Sequence, residues 1–311
     1  MKRYKTLNEH YRKLFGEKIF KVPIDAGFDC PNRDGTVAKG GCTFCTVSGS
    51  GDAIVAPDAP IVEQFYQEVD FMHRKWPEVK KYLVYFQNFT NTHADVAVLR
   101  ERYEQAINEP GVVGINIGTR PDCLPDDTIA YLAELSERMH VTVELGLQTT
   151  YEETSERINR AHDYQTFVDA VKRLRQYPKI EVVAHLINGL PGESHEMMVE
   201  NVRRCVRDAD IQGLKLHLLH LMTNTRMQRD YHEGRLQLLS QEAYVNLICD
   251  QLEIIPQHIV IHRLTGDAPP HLLIGPMWSL NKWEVLNAID KEMERRGSYQ
   301  GCKVEERITL C

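Results

Sequence analysis

The chain has 311 residues, a formal net charge of −7 at pH 7, 42% hydrophobic residues and 26% charged residues. These values are ordinary for a soluble globular protein, and they allow one large α/β domain or two small ones. They exclude a protein whose whole surface is basic enough to attract nucleic acid. No apolar run approaches the ~20 residues that span a bilayer, and the N-terminus lacks the apolar stretch of a signal peptide. We therefore expect a cytoplasmic protein with no membrane partner.

The first 20 residues form a basic segment at the start of this acidic chain. Within residues 1–21 the only acidic residues are Glu9 and Glu17, and the basic residues outnumber them. The basic residues are Lys2, Arg3, Lys5, Arg12, Lys13, Lys18 and Lys21. Such a segment is either a solvated surface helix or a local patch that binds phosphate groups. Both interpretations stay open on the sequence alone.

Short apolar runs rich in β-branched and aromatic residues predict seven strands. They cover 19–24, 82–86, 112–117, 141–145, 181–187, 214–219 and 259–262. Stretches 61–72 and 166–174 repeat apolar residues at three- and four-residue intervals, which predicts amphipathic helices. Strands that alternate with helices favour a parallel sheet, and about six such units suggest a barrel or partial barrel. In that architecture the chemistry lies at the C-terminal ends of the strands.

A cysteine cluster follows the first predicted strand. Cys30, Cys42 and Cys45 have the spacing C-x11-C-x2-C. The glycines between them let the loop fold back so that Cys30 can join the other two; they are Gly35, Gly40 and Gly41. Three thiolates leave one iron of a [4Fe-4S] cluster open, and an open position is what catalysis needs.

The same cysteines are compatible with a different metal. A zinc ion held by three cysteines and a fourth ligand, such as Cys123 or His93, fits the spacing nearly as well. In that case the protein would be a zinc-stapled binding module rather than an enzyme.

Four downstream segments distinguish the two possibilities. Thr-Arg-Pro-Asp at 119–122, Glu-Leu-Gly-Leu-Gln-Thr at 144–149, Ile-Asn-Arg-Ala-His at 158–162 and a Gly-Leu-Pro-Gly loop within 185–193 follow the cysteines in this order. With Phe44 before the last cysteine, the chain resembles the radical S-adenosylmethionine (SAM) superfamily. Within it, the resemblance is to the branch that contains the catalytic subunit of Elongator.

The resemblance extends over nearly the whole chain when further segments are included. Segments 85–92, 263–268 and 299–301 are similar to a small bacterial subfamily of single-domain radical SAM proteins. This implies an α/β fold, a partial (β/α)6 TIM-like barrel of the radical SAM type with a C-terminal α/β extension. We expect the core at 21–235 and the extension, covering the open side, at 236–311.

The resemblance also implies cofactors and residues that hold them. SAM would chelate the open iron of a [4Fe-4S] cluster bound by the three cysteines, and its reductive cleavage would give a 5′-deoxyadenosyl radical. The residues expected to contact SAM are Phe44, Gln87, Asn88, Thr90, Glu144, Gln148, Arg160 and Ile187. Gln87, Asn88 and Thr90 would bind the amino group where the superfamily often has Gly-Gly-Glu. Glu144 and Gln148, at the end of the fourth strand, would bind the ribose.

Two of these roles are more specific. Arg160 would receive the SAM carboxylate through its guanidinium, unless it is a surface helix arginine. Ile187 would pack on adenine, unless it merely ends a core strand.

Residues at the mouth of the third strand are candidates for contact with substrate: Arg120, Asp122 and Cys123. Asp122 could instead pair with Arg120 and shape the loop. Cys123 could donate a hydrogen atom to a product radical or simply be packed.

The resemblance to Elongator implies chemistry on the wobble uridine of transfer RNA (tRNA). The chain is too short for an added acetyltransferase domain. We therefore expect later processing of an existing side chain, namely conversion of 5-carboxymethylaminomethyluridine to 5-aminomethyluridine. The expected partners are tRNA and a flavodoxin- or ferredoxin-type electron donor. The alternative is a radical SAM enzyme that acts on a small molecule or a peptide.

Overall fold

The computed structural model describes residues 2–46, 49, 54 and 56–304. In chain order the elements are α1 (Leu7–Phe15), β1 (Phe20–Ile24), α2 (Ile61–His73), β2 (Tyr82–Phe86), α3 (Val96–Ile107), β3 (Val112–Thr119), α4 (Asp126–Arg138), β4 (His140–Gln148), α5 (Glu152–Arg157), α6 (Tyr164–Leu174), β5 (Ile180–Asn188), α7 (His195–Asp208), β6 (Gly213–Leu218), β7 (Leu221–Met222), α8 (Met227–His232), α9 (Gln241–Ile254), β8 (Val260–Arg263), β9 (Leu273–Gly275) and α10 (Lys282–Arg295). None of the described helices is long and apolar enough to cross a membrane.

Seven parallel strands form one curled sheet in the order β1-β2-β3-β4-β5-β6-β8. The sheet is a half-barrel whose edge strands are β1 and β8, and the predicted α/β partial barrel is confirmed. The strand β8 comes from the predicted C-terminal extension, so that region completes the sheet as well as lying beside it. The last part of the extension, 305–311, lies outside the described residues.

Apolar packing on the outer face of the sheet explains why these segments form these elements. Strands of parallel sheets are covered on both faces and read as apolar runs, and β2 is buried along its whole length. In α6, Phe167, Ala170, Val171 and Leu174 recur at helical spacing and are all buried. Each large side chain buried in this way stabilises the fold by about 1.5–3 kcal/mol.

Helix α1 closes the N-terminal end of the barrel. Thr6 and Glu9 form a capping box that starts the helix. The buried Tyr11 turns inward, with its hydroxyl 3.4 Å from Nδ2 of Asn116, and His10 contacts Glu181 on β5 at 3.0 Å. The backbone N–H of Ile261 on β8 donates to the carbonyl of Lys5.

The basic N-terminal segment is therefore part of the barrel body. Lys2 pairs with Asp290 of α10, Arg3 donates to the carbonyl of Ser298, and Lys5 donates to the carbonyl of His258. These three cations fasten the segment to the C-terminal region and are engaged within the protein, while the phosphate-binding interpretation of the segment stays a prediction. Arg12 and Lys13 are exposed, but they lie on the helix that closes the end of the barrel opposite the cysteine loop.

Candidate cofactor and substrate site

The cysteine loop follows β1 and folds back on itself at the C-terminal end of the barrel. Gly35, Gly40 and Gly41 have positive φ angles of 93°, 81° and 69°, which glycine adopts without strain. The carbonyl of Cys30 accepts hydrogen bonds from the two backbone N–H groups of residues 33 and 34. The backbone N–H of Gly41 also donates to the carbonyl of Asn32, so the loop returns toward Cys30 as predicted.

The thiols of Cys30, Cys42 and Cys45 share one space at this end of the barrel. Cys45 donates a hydrogen bond to Cys42, which together with the nearby Arg120 lowers the pKa of Cys42 to about 7 despite its burial. The pKa of Cys45 is raised, since it is the donor of the pair, and Cys30 lies close enough to contribute to that rise. Because the thiolate is the form that binds metal, this environment suits a bound cluster.

Three thiolates suit a [4Fe-4S] cluster, which takes its cysteines on three irons and leaves the fourth open. A structural zinc ion needs a fourth protein ligand. Of the two suggested fourth ligands, His93 is bonded to Asp34 at 2.7 Å and Cys123 is buried beside Asp122.

The loop after β2 supplies buried acceptors without a partner. Asn88 donates to Asp25 at 2.6 Å, and Asn91 donates to the carbonyls of Phe86 and Gly118. The other oxygen of each amide, and the hydroxyl of Thr90, are buried without a hydrogen bond to any described residue. Buried polar atoms normally find a partner, so these three oxygens beside the cysteine loop fit the binding of an amino group. Gln87 follows β2 directly and is half-buried.

The two residues predicted at the end of β4 lie in different places. Gln148 is the last residue of the strand, in a left-handed conformation with φ 58°. Glu144 lies in the middle of the strand and is fully buried, so its predicted position at the strand end is wrong. Its carboxylate is bound by Lys21 and Lys215 in the barrel interior.

Arg160 supports the loop after β4. Its side chain is 1% exposed, and its N–H groups donate to the backbone carbonyls of Leu147, Thr149 and His162. These donors are used within the protein, which corrects the prediction that the guanidinium receives the SAM carboxylate. Burial lowers the pKa of Arg160 to about 10.

Phe44 and Ile187 meet in a small apolar cluster at the same end of the barrel. Both are partly buried and pack on a group whose buried members are Ile158, Leu190, Leu219, Leu221, Met227 and Leu236. This surface is apolar and only partly covered, as the wall of an adenine pocket must be. Their roles stay predictions that the geometry accommodates.

Arg120 and Asp122 bind each other. The guanidinium donates to both carboxylate oxygens of Asp122, at 2.9 and 2.7 Å, and to the carbonyl of Arg160 at 2.7 Å. The pair shapes the loop after β3. This is the alternative that the sequence left open beside contact of Asp122 with substrate. Cys123 is 8% exposed, and burial raises the pKa of its thiol to about 12, so the sulfur keeps its proton.

The sequence reasoning missed a group of charged residues inside the barrel. We call Lys21, Glu144, His185, Lys215 and Arg263 the interior charge cluster. Glu144 contacts Lys21 at 2.8 Å and His185 at 3.1 Å, and it also pairs with Lys215, which lies 3.0 Å from the Tyr85 hydroxyl. Lys215 and His217 at alternate positions of β6, beside His185 on β5, were the available signal, because alternate side chains of a strand share one face.

Burial sets the protonation of this cluster. It lowers the pKa of Lys215 to about 7 and that of His185 to about 4. Burial also opposes ionisation of Glu144, but Lys21 and Lys215 overcome it and hold the pKa of that carboxyl well below its usual value. The barrel interior therefore holds one carboxylate that stays ionised, Glu144, among several basic side chains.

Comparison with known proteins agrees with this geometry. The profile of the Radical SAM superfamily matches residues 33–205, and that of the Radical_SAM C-terminal domain matches 211–295. The protein YtqA of Bacillus subtilis is 57% identical over 96% of this chain and 92% of its own length. A tRNA uridine(34) acetyltransferase of Methanocaldococcus jannaschii is 25% identical over 64% of this chain, which covers 36% of that protein.

Among solved structures, archaeal Methanocaldococcus infernus Elp3 with an N-terminal deletion shares the fold with a TM-score of 0.68 at 16% identity. The match covers 91% of this chain and 64% of that one.

Proposed function

Since the chain belongs to the radical SAM superfamily, we propose that this enzyme acts on a wobble uridine of tRNA. The proposed reaction converts 5-carboxymethylaminomethyluridine to 5-aminomethyluridine. The observation that carries the proposal is the similarity to a tRNA uridine(34) acetyltransferase, and to archaeal Elp3, over the barrel but not over their full length.

The cofactors are a [4Fe-4S] cluster and SAM, as in the rest of the family. When bound, they supply a 5′-deoxyadenosyl radical that removes a hydrogen atom from the substrate. Cys30, Cys42 and Cys45 would hold the cluster. Asn32 adds a weak contact, with its amide nitrogen 3.6 Å from the sulfur of Cys42.

The protein's own contribution is to orient SAM and the substrate and to exclude water. The oxygens of Asn88, Thr90 and Asn91 that lack a partner among the described residues would accept from the N–H groups of the SAM amino group. Phe44 and Ile187 would cover the adenine. Arg120 would act as a positioning residue, since its charge lies beside the thiols of the cluster loop.

Cations on the rim of the cluster loop support an RNA substrate. Lys39 and Arg226 are exposed, and Arg226 donates to the carbonyl of Gly41 within the loop. Arg33 lies 4.7 Å from the centre of the Phe89 ring. Phosphate groups next to a uridine inserted into the barrel would meet these side chains, so binding should weaken with salt. The electron donor would be a flavodoxin- or ferredoxin-type protein.

The proposal is tested with tRNA from a strain that lacks this gene. The reconstituted enzyme, SAM and dithionite are added to that tRNA without oxygen, and the nucleosides are quantified by mass spectrometry. We expect 5-carboxymethylaminomethyluridine to decrease and 5-aminomethyluridine to increase. If SAM is cleaved but every modified nucleoside is unchanged in the reaction and in the deletion strain, the substrate is a small molecule or a peptide instead.

A further inference from the structure

Arg263 is an arginine without an acceptor. It ends β8, is half-buried, and forms no hydrogen bond or ion pair with any residue of the described ranges. Its guanidinium is nevertheless inside the interior charge cluster, because its charge lowers the pKa values of His185, Lys215 and His217. Arginine is rarely buried unless it is paired, so this side chain lacks the anion that its position requires.

The charges around Arg263 do not supply that anion. Lys215 on β6 is its register partner, and Lys21 lies on β1, the opposite edge strand of the sheet. Both lysines already share the carboxylate of Glu144. Three basic side chains thus face one carboxylate, and an uncompensated charge in a barrel interior is costly. His185 adds no charge near neutral pH, since its pKa is about 4.

A cleft leads to this arginine. It has a volume of about 480 Å³, within the range of ligand pockets, and it lies where β1 and β8 leave the barrel open. Its lining includes Tyr11, Lys21 and Arg263 as well as Lys282 and Trp283 of α10. A ligand of the size of a modified nucleoside side chain fits this space.

Buried polar atoms without a partner among the described residues lie in the barrel interior, and of their residues His262 also lines the cleft. Nε2 of His217, Oδ1 of Asn116 and both ring nitrogens of His262 are buried without a hydrogen bond among the described residues. Orphaned atoms of this kind, on three different strands that converge on the interior, mark a place where a polar ligand completes the structure. They are independent of the unpaired guanidinium.

We propose that Arg263, assisted by Lys215 and Lys21, binds a carboxylate of the substrate inside the barrel. A guanidinium matches a carboxylate with two parallel hydrogen bonds. The net positive charge around Arg263 suits a monoanion better than a phosphate dianion. Glu144 offsets one cation, and Lys215 is only partly protonated near neutral pH. The assignment rests on the proposed function, in which the uridine side chain that is shortened ends in a carboxylate.

The test uses the reconstituted holoenzyme with saturating SAM, so that the methionine carboxylate is already bound. Thermal stabilisation is titrated with N-methylglycine, with its amide, which keeps the amine but lacks the carboxylate, and with inorganic phosphate. The proteins are the wild type, Arg263→Gln and, as a control, Arg203→Gln, which removes an exposed arginine of α7 paired only with Glu200. We expect the acid to stabilise the wild type and the control, and Arg263→Gln to need at least about tenfold more of it.

A second arm uses tRNA that carries 5-carboxymethylaminomethyluridine. We expect the KM of Arg263→Gln to rise at least about tenfold, while Arg203→Gln keeps the KM of the wild type. The proposal would be overturned if the wild type and Arg263→Gln needed the same concentration of acid for stabilisation. It would also be overturned if the acid and the amide stabilised the wild type equally. Stronger stabilisation by phosphate would reassign the site to a phosphate. If the acid binds through Arg263 but no tRNA nucleoside changes, the proposed function fails while the carboxylate site stands.

Discussion

Glu144 in the barrel and Glu253 in α9 are both buried carboxylates with basic residues around them. The two groups of basic residues differ in how many of their donors are paired. Glu253 is 1% exposed and contacts Arg296 at 3.4 Å and Lys303. The donors of Arg296 are also bonded to Asp250, Glu292 and Asn246. Glu144 is equally buried, but the arginine beside its lysines, Arg263, has no acceptor among the described residues. The paired Arg296 stabilises the C-terminal helices, whereas the unpaired Arg263 leaves binding capacity for a ligand in the barrel.

The largest effect on stability is expected for Glu144→Gln. The change removes the carboxylate that Lys21 and Lys215 share, and breaking a buried pair in this way costs about 3–5 kcal/mol of the free energy of unfolding. Anaerobic urea denaturation of the holoprotein measures it. Glu253→Gln is the matched control and should cost less, because Arg296 keeps Asp250 and Glu292. Equal losses in the two variants would contradict the contrast between the two networks.

Substitution of Arg296 should change mainly the stability of the protein, and substitution of Arg263 mainly its KM. We expect Arg296→Gln to lower the free energy of unfolding by about 2 kcal/mol, since it breaks several hydrogen bonds, and to leave KM for tRNA unchanged. Arg263→Gln should change stability by no more than about 0.5 kcal/mol while raising KM. Denaturation and steady-state kinetics on the same preparations decide this. A strong loss of stability in Arg263→Gln would give that residue a structural role.

A pH dependence follows from Lys215, whose pKa is about 7. Its proton is lost as the pH rises through 7, so the interior loses positive charge and the KM for the carboxylate substrate should rise, by roughly tenfold between pH 6 and 8.5. The groups that face it are Lys21, Tyr85, Glu144, His185, His217 and Arg263. Lys21 and Tyr85 have raised pKa values, and Glu144, His185 and His217 have lowered ones, so none of these five groups titrates between pH 6 and 8.5. Lys215→Met should have a high KM at every pH, and a wild-type KM that does not change with pH would rule this role out.

The smallest effect is expected for Cys123→Ser. Because burial keeps the Cys123 thiol protonated, it can give up a hydrogen atom, and a hydroxyl holds its hydrogen more firmly. We expect SAM cleavage to continue while less product forms per 5′-deoxyadenosine. Both are measured by chromatography of one reaction. An unchanged ratio would leave Cys123 with a packing role.

The sequence predicted the features that local pattern determines. The seven main strands, the helices α2 and α6, and the turn that returns the cysteine loop all follow from short-range periodicity and glycine positions. The parallel arrangement of the sheet follows from the alternation of strands and helices, whereas the strand order was not predicted. The cysteine spacing together with downstream motifs identified the cofactor class.

Features set by long-range contacts could not be predicted. The sequence did not reveal that the donors of Arg160 are used by carbonyls of its own loop, or that Lys2 reaches α10. It also did not show that Glu144 meets Lys21 and Lys215 from strands far apart in the chain. These pairings depend on how the sheet curls, which brings side chains from β1, β4 and β6 into one space.

The central claim is tested most directly by SAM cleavage. The protein is purified without oxygen, reconstituted with iron and sulfide, reduced and assayed for 5′-deoxyadenosine, beside Cys30→Ala, Cys42→Ala and Cys45→Ala. We predict a brown wild-type protein that cleaves SAM and three variants that do not. A colourless wild-type protein that holds stoichiometric zinc and cleaves no SAM would contradict the account.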